Sequence, residues 1–163
     1  MVTFEKTIEI EAPVDYVFEW AIQPENWVRC MPSLFEVEKI EVTDEGTRYR
    51  TTRKVLGRRT TSEELVVVDR ENDEIVSIFQ NGDIDGQLRW SYSEADGVTT
   101  DGVSTVSIFA DVSVGTSLFD RAIRPVVSRS LTRQYRNALE TMKELVEAER
   151  ELDAAPDAME AVQ

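Results

Sequence analysis

Residues 7–42 run TIEIEAPVDYVFEWAIQPENWVRCMPSLFEVEKIEV, and the reading of this stretch decides the fold class. Around its start, Val2, Phe4, Lys6, Ile8 and Ile10 alternate with Thr3, Glu5, Thr7 and Glu9, the period of two of a half-buried strand. Pro13 stands where a first helical turn tolerates it, and Val14, Val17, Phe18 and Ala21 recur at helical spacing. Pro24 opens a second short helix with Trp27, Val28 and Met31 apolar, and Pro32 closes it by disfavouring helical geometry in the residue before it. Another strand begins at Leu34. Strand, two short aromatic helices and strand point to a cavity-forming fold, but they supply no catalytic constellation.

Working outward, the chain from Leu34 to Val114 predicts six strands, near 34–43, 47–56, 58–69, 74–81, 86–95 and 103–114. Their breaks fall at Asp44-Glu45-Gly46, Gly57, Glu71-Asn72-Asp73, Asn81-Gly82-Asp83 and Asp96-Gly97. Asn-Gly and Asp-Gly supply the positive backbone angles of tight hairpins, so the strands form an antiparallel meander. A long helix then starts near Thr116 or Ser117, either of which would cap it. Leu118, Ala122, Val126 or Val127, Leu131, Tyr135, Ala138, Leu139, Met142, Leu145 and Val146 form its apolar stripe. Pro125 is expected to kink or break its first turns. After Arg150, ELDAAPDAMEAVQ is acidic and rich in small residues, so one domain over 1–150 with a mobile acidic tail over 151–163 is expected.

Composition bounds the function. The chain has 163 residues, 32 acidic against 18 basic, and a net charge of −14. Such a surface repels phosphate backbones and anionic lipid, so no nucleic acid is expected as a partner. Only Lys6, Lys39, Lys54 and Lys143 are lysine. The acidic, lysine-poor balance fits a salt-loving organism; an ordinary acidic cytosolic protein is the alternative. No apolar run approaches the roughly 20 residues of a membrane helix, and the first residues lack a signal peptide's basic and apolar regions. A cytoplasmic location without membrane insertion is therefore expected. Oligomeric state is not legible. With no histidine and one cysteine, Cys30, the chain offers no Ser-His-Asp or Cys-His catalysis, no His-based metal site and no disulfide. Its glycines fall in hairpin turns rather than in a phosphate loop, so neither a metal nor a nucleotide cofactor is expected.

The order strand, two short helices, six-strand meander and long terminal helix resembles the helix-grip fold of the START-like (SRPBCC) superfamily, which includes polyketide cyclases, Bet v 1 relatives and coenzyme Q-binding proteins. The resemblance rests on IEIEAPVDYVFEWAIQPENWVRCMPSLFEVEKIEV, similar to that superfamily's I-x-A-P-x-x-V-(W/F) entry segment and the D/P-x-x-W-x-x-x-x-P that follows, and on the closing LTRQYRNALETMKELVEAE. Where members often open the last strand with Gly-Thr, this chain has the looser GVTTDGVSTV. The resemblance implies an α+β architecture, a curved antiparallel sheet of about seven strands wrapped around the C-terminal helix. It also implies a lipid, isoprenoid, polyketide-like or other hydrophobic ligand between them.

Strand phase nominates the residues facing that space. Taking the apolar set of each strand as inward gives Phe35, Tyr49, Arg53, Glu64, Phe79, Trp90 and Tyr92, joined by Phe18, Trp27, Met31 and Tyr135 from the helices. An inward Glu64 and Arg53 would meet each other or a ligand's polar group, because an unpaired charge in an apolar cavity is costly. The plainer expectation is that sheet curvature leaves both solvated. The aromatics either stack on a planar ligand or fill core volume. In the basic run Arg48, Arg50, Arg53, Lys54, Arg58 and Arg59, the residues Arg48, Arg50 and Lys54 would share a face that could dock an acidic partner or phosphate; the plainer expectation is cross-strand pairing with Glu63, Glu64 and other carboxylates. Three functions fit: a carrier of a small hydrophobic molecule, a cyclase or dehydratase using Glu64, Arg53, Tyr49 or Tyr92, or a ligand-free protein-interaction module.

Overall fold

The computed structural model describes residues 2–55, 57–81, 84–95, 102–115 and 118–160. The elements follow as β1 (Val2–Ile10), α1 (Val14–Ala21), α2 (Pro24–Cys30), β2 (Leu34–Val42), β3 (Thr47–Val55), β4 (Arg58–Asp69), β5 (Glu74–Asn81), β6 (Ile84–Glu94), β7 (Ser104–Val114) and α3 (Leu118–Glu160). All seven strands join one antiparallel sheet in the order β1-β7-β6-β5-β4-β3-β2. It wraps around α3, which is the helix-grip architecture.

Alternation builds the inner face. On β7, Ser104, Val106, Ile108, Ala110, Val112 and Val114 are all buried, and the residues between them are more exposed. Against this face α3 sets Tyr135, Ala138, Leu139, Met142 and Val146, while α1 adds Val17, Phe18, Trp20 and Ala21. Full burial of each large apolar side chain contributes about 1.5–3 kcal/mol, so this cluster dominates stability. At the β2–β3 turn a Cβ on Gly46 would come within 2.5 Å of the Val66 carbonyl oxygen, so only glycine lets the hairpin lie against β4.

Polar contacts fasten the far half of α3 to the N-terminal segment. Lys143 Nζ donates to the Glu9 carbonyl at 2.9 Å, the Glu11 N–H donates to the Glu147 carboxylate at 2.9 Å, and Arg150 donates to the Glu11 carbonyl at 2.8 Å. Trp20 Nε1 donates to Glu149 at 2.6 Å, and Arg29 pairs with the same carboxylate.

Three expectations change. Pro125 does not break the helix, which runs on through it. The helix continues past Arg150 to Glu160, and the Tyr16 hydroxyl donates to Asp153 at 2.8 Å. The strand expected over 86–95 starts two residues earlier, at Ile84. The proposed caps Thr116 and Ser117 and the turns at Gly82-Asp83 and Asp96-Gly97 lie outside the described residues. Among the described residues, no helix is long and apolar enough to cross a membrane.

Candidate functional site

Between the sheet and α3 lies a cavity of about 50 Å3. Ala21, Trp27, Cys30 and Met31 from the short helices and the turn after them form one wall, and Met142 of α3 forms another. The sheet supplies Arg53, Glu64, Val66, Ile75, Ser77, Leu88, Trp90 and Tyr92. Most of these groups are apolar. The exception is a charged cluster on β3, β4 and β5.

Period-two geometry explains that cluster. Tyr49, Thr51 and Arg53 share the inner face of β3, and Glu64 and Val66 share that of β4. The β3–β4 register pairs Tyr49 with Glu64 and Thr51 with Ser62, leaving Arg53 to reach along the sheet to Glu64. The two side chains form an ion pair in which Glu64 is 5% exposed and Arg53 18% exposed. Glu64 also accepts from Thr51 Oγ1 at 3.2 Å and from Ser77 Oγ at 2.9 Å. The sheet therefore does not leave these charges solvated. It draws them under α3, where the Tyr135 hydroxyl lies beside the guanidinium.

Burial is the largest influence on Arg53 and would lower its pKa; Glu64 and the Tyr135 oxygen outweigh it and hold the guanidinium above its ordinary range. Burial pushes Tyr92, Tyr135 and Tyr49 up from ordinary phenol values, and the Cys30 thiol up to about 12. These groups stay protonated at neutral pH, and the Cys30 thiol donates to the Trp27 carbonyl at 3.7 Å. The Arg53 Nε is buried and has no hydrogen-bond partner among the described residues.

The nominated residues divide into four groups. Arg53, Glu64, Trp27, Met31, Trp90 and Tyr92 line the cavity. Phe18, Tyr49 and Tyr135 are buried in the surrounding core. There Phe18 packs edge-on to Tyr92 at 5.5 Å, Tyr49 edge-on to Trp27 at 5.2 Å, and Tyr135 edge-on to Trp90 at 6.3 Å. Phe79 is partly buried and packs over Gly86, where a Cβ would approach its ring to 2.7 Å. Phe35 is a correction. It is 43% exposed, with the Arg59 guanidinium carbon 4.6 Å above its ring. A β-bulge between Leu34 and Glu36 resets the phase, so that Leu34 is buried and Val37 packs on the core while Phe35 faces outward.

Sequence reasoning missed Thr51, Ser77, Cys30 and Met142. The signal for Ser77 was present, since it lies between Ile75 and Phe79 on an otherwise apolar face. The basic run behaves largely as expected outside the cavity. Arg48 pairs with Glu41 at 2.8 Å and with Glu63, and Arg50 pairs with Glu38 at 3.4 Å and with Glu63 at 3.9 Å.

A seven-stranded antiparallel sheet gripping a long terminal helix, with two short helices after the first strand, defines a START-like protein. The family model described as polyketide cyclase / dehydrase and lipid transport matches residues 1–147, and the chain belongs to that family. Among solved structures, a protein from Thermus thermophilus superposes with a TM-score of 0.76 at 18% identity, over 90% of this chain and 97% of that one. An aromatase/cyclase from a Streptomyces species gives 0.77 at 15%, over 89% and 93%. A START superfamily protein from Mycobacterium smegmatis gives 0.73 at 14%, over 90% and 97%. These likenesses concern the fold. No curated protein matches the chain.

Proposed function

We propose that this chain binds a small hydrophobic molecule between the sheet and α3, with Arg53 and Glu64 fixing the ligand's polar end. The observation that carries this reading is the buried ion pair with its unpartnered Arg53 Nε, set in an otherwise apolar chamber. A buried pair of this kind is on average no more stabilising than well-packed apolar residues. A buried N–H without a partner costs free energy that a ligand acceptor would recover. The binding free energy would come from apolar burial, at about 25 cal/mol per Å2.

The cavity holds about 50 Å3, against roughly 300–1,000 Å3 for small-molecule sites. Binding therefore requires lining side chains to move aside, and Met31 and Met142 are the flexible ones. This small volume favours a second reading, the ligand-free interaction module, whose interior would stay packed. Turnover is less well supported. Glu64 already accepts from Arg53, Thr51 and Ser77, so both its oxygens are engaged before any substrate proton arrives.

The test is native mass spectrometry of the protein purified from its own host, followed by organic extraction. The binding reading expects an apolar molecule that travels with the folded chain and is released on denaturation. Bare protein across several preparations would overturn it in favour of the interaction module.

A further inference from the structure

A second concavity, about 850 Å3, lies outside the gripped core between the N-terminal half of α3 and the segments around Ser33 and Lys54. Among the described residues its charged lining is cationic: Lys54, Arg129, Arg133 and Arg136. Ser128, Thr132 and Gln134 add hydroxyl and amide donors. In a chain of net charge −14, so large a concavity with no carboxylate among the described residues of its lining needs an explanation.

Folding does not provide one. From Arg121 to Leu139, α3 carries five arginines and no acidic residue, whereas Glu140 to Glu160 carries eight acids and two bases. The helix macrodipole favours the opposite arrangement, anions near the start and cations near the end. Arg129 and Arg133 are four residues apart, a like-charge spacing that weakens a helix. Among the described residues, none of the four cations forms an ion pair, although Arg29, Arg48, Arg50, Arg53, Arg70 and Lys143 all do. The arginines at 129, 133 and 136 are exposed.

We propose that this groove is a binding site for a phosphate ester. A single carboxylate would leave most of the four cations unmatched. A phosphate monoester carries a charge of about −1.5 to −2 and three acceptor oxygens, and guanidinium forks meet such oxygens in pairs. The site does not rest on the interior's being a ligand cavity. It shares a wall with it, however: Arg53 and Tyr135 face inward, while Lys54, Gln134 and Arg136 line the groove.

The experiment titrates glycerol phosphate, and separately vesicles containing phosphatidic acid, into the full chain at low salt. Three proteins are compared: wild type, Arg129→Gln/Arg133→Gln/Arg136→Gln, and Arg48→Gln/Arg50→Gln, which changes arginines outside the groove. Saturable binding of glycerol phosphate is expected, weakened at least about tenfold in the groove variant and unchanged in the other. Both variants should keep the wild-type unfolding midpoint to within a few degrees on the order expected for surface changes. If vesicles bind as well and lose binding in the same variant, the ester is a lipid headgroup; if they do not, it is a free small molecule. Equal affinity in the two variants, binding to vesicles without binding to glycerol phosphate, or a groove variant that alters only self-association would each overturn the assignment.

Discussion

The two halves of α3 are built on different terms. From Tyr135 onward the helix buries Tyr135, Ala138, Leu139, Met142 and Val146 and is tied to the N-terminal segment through Lys143, Glu147, Glu149 and Arg150. Among the described residues before Tyr135 the buried one is Val127; its neighbour Val126 is exposed, and arginines with no ion pair among those residues face the groove. One half is held by the fold. The other is held less and displays more, so chemistry that does not serve stability is to be sought there and at Tyr135, where the halves meet beside Arg53.

Substitutions can break this contrast. Leu139→Ala should cost about 2–5 kcal/mol in urea unfolding, because a fully buried side chain leaves a cavity. Val126→Ala, on the loose half, should stay within about 0.5 kcal/mol; similar losses at both positions would erase the distinction. Trp20→Phe removes the donor to Glu149 and should cost about 1.5–3 kcal/mol. Its effect should shrink in a Glu149→Gln background, which a double-mutant cycle measures.

Alkaline pH sharpens the same point without mutation. Cys30, Tyr49, Tyr92 and Tyr135 are neutral groups whose folded pKa values lie above their ordinary ones. As pH rises from about 8, the unfolded chain loses these protons before the folded chain does, so the unfolded state binds fewer protons and stability falls. Urea midpoints should be level between about pH 6 and 8 and decline toward pH 12, with the first part of the decline absent in Cys30→Ala. The smallest expected effect is that of Arg129→Gln, within about 0.5 kcal/mol of wild type.

Much of this was legible in the residues. The alternation of β1 and β7, the hairpin turns and the stripe from Tyr135 to Val146 follow directly from the periods of two and 3.6. Phe35 was misread because a bulge shifts phase by one residue and leaves no mark in apolar spacing. The tail past Arg150 was read from its charge, but Glu, Ala, Leu and Met are strong helix formers and the helix extends through them. The inner phase of Arg53 and Glu64 was visible, whereas their pairing depends on the β3–β4 register and on the cover of α3. Cavity volume depends on how side chains of three layers interlock, which no single strand pattern encodes.

The central claim is that the Arg53–Glu64 pair serves a ligand rather than the fold. The most direct test measures urea stability, and binding of the apolar anionic dye anilinonaphthalene sulfonate, in wild type, Arg53→Met, Glu64→Leu and the double variant. Each single variant should lose about 3–5 kcal/mol, because it strands one buried charge, while the double variant should match or exceed wild-type stability by up to about 4 kcal/mol. Dye binding by the folded double variant should fall at least about tenfold, or about 1.4 kcal/mol. A double variant as unstable as the singles, or one that binds the dye as wild type does, would contradict the account.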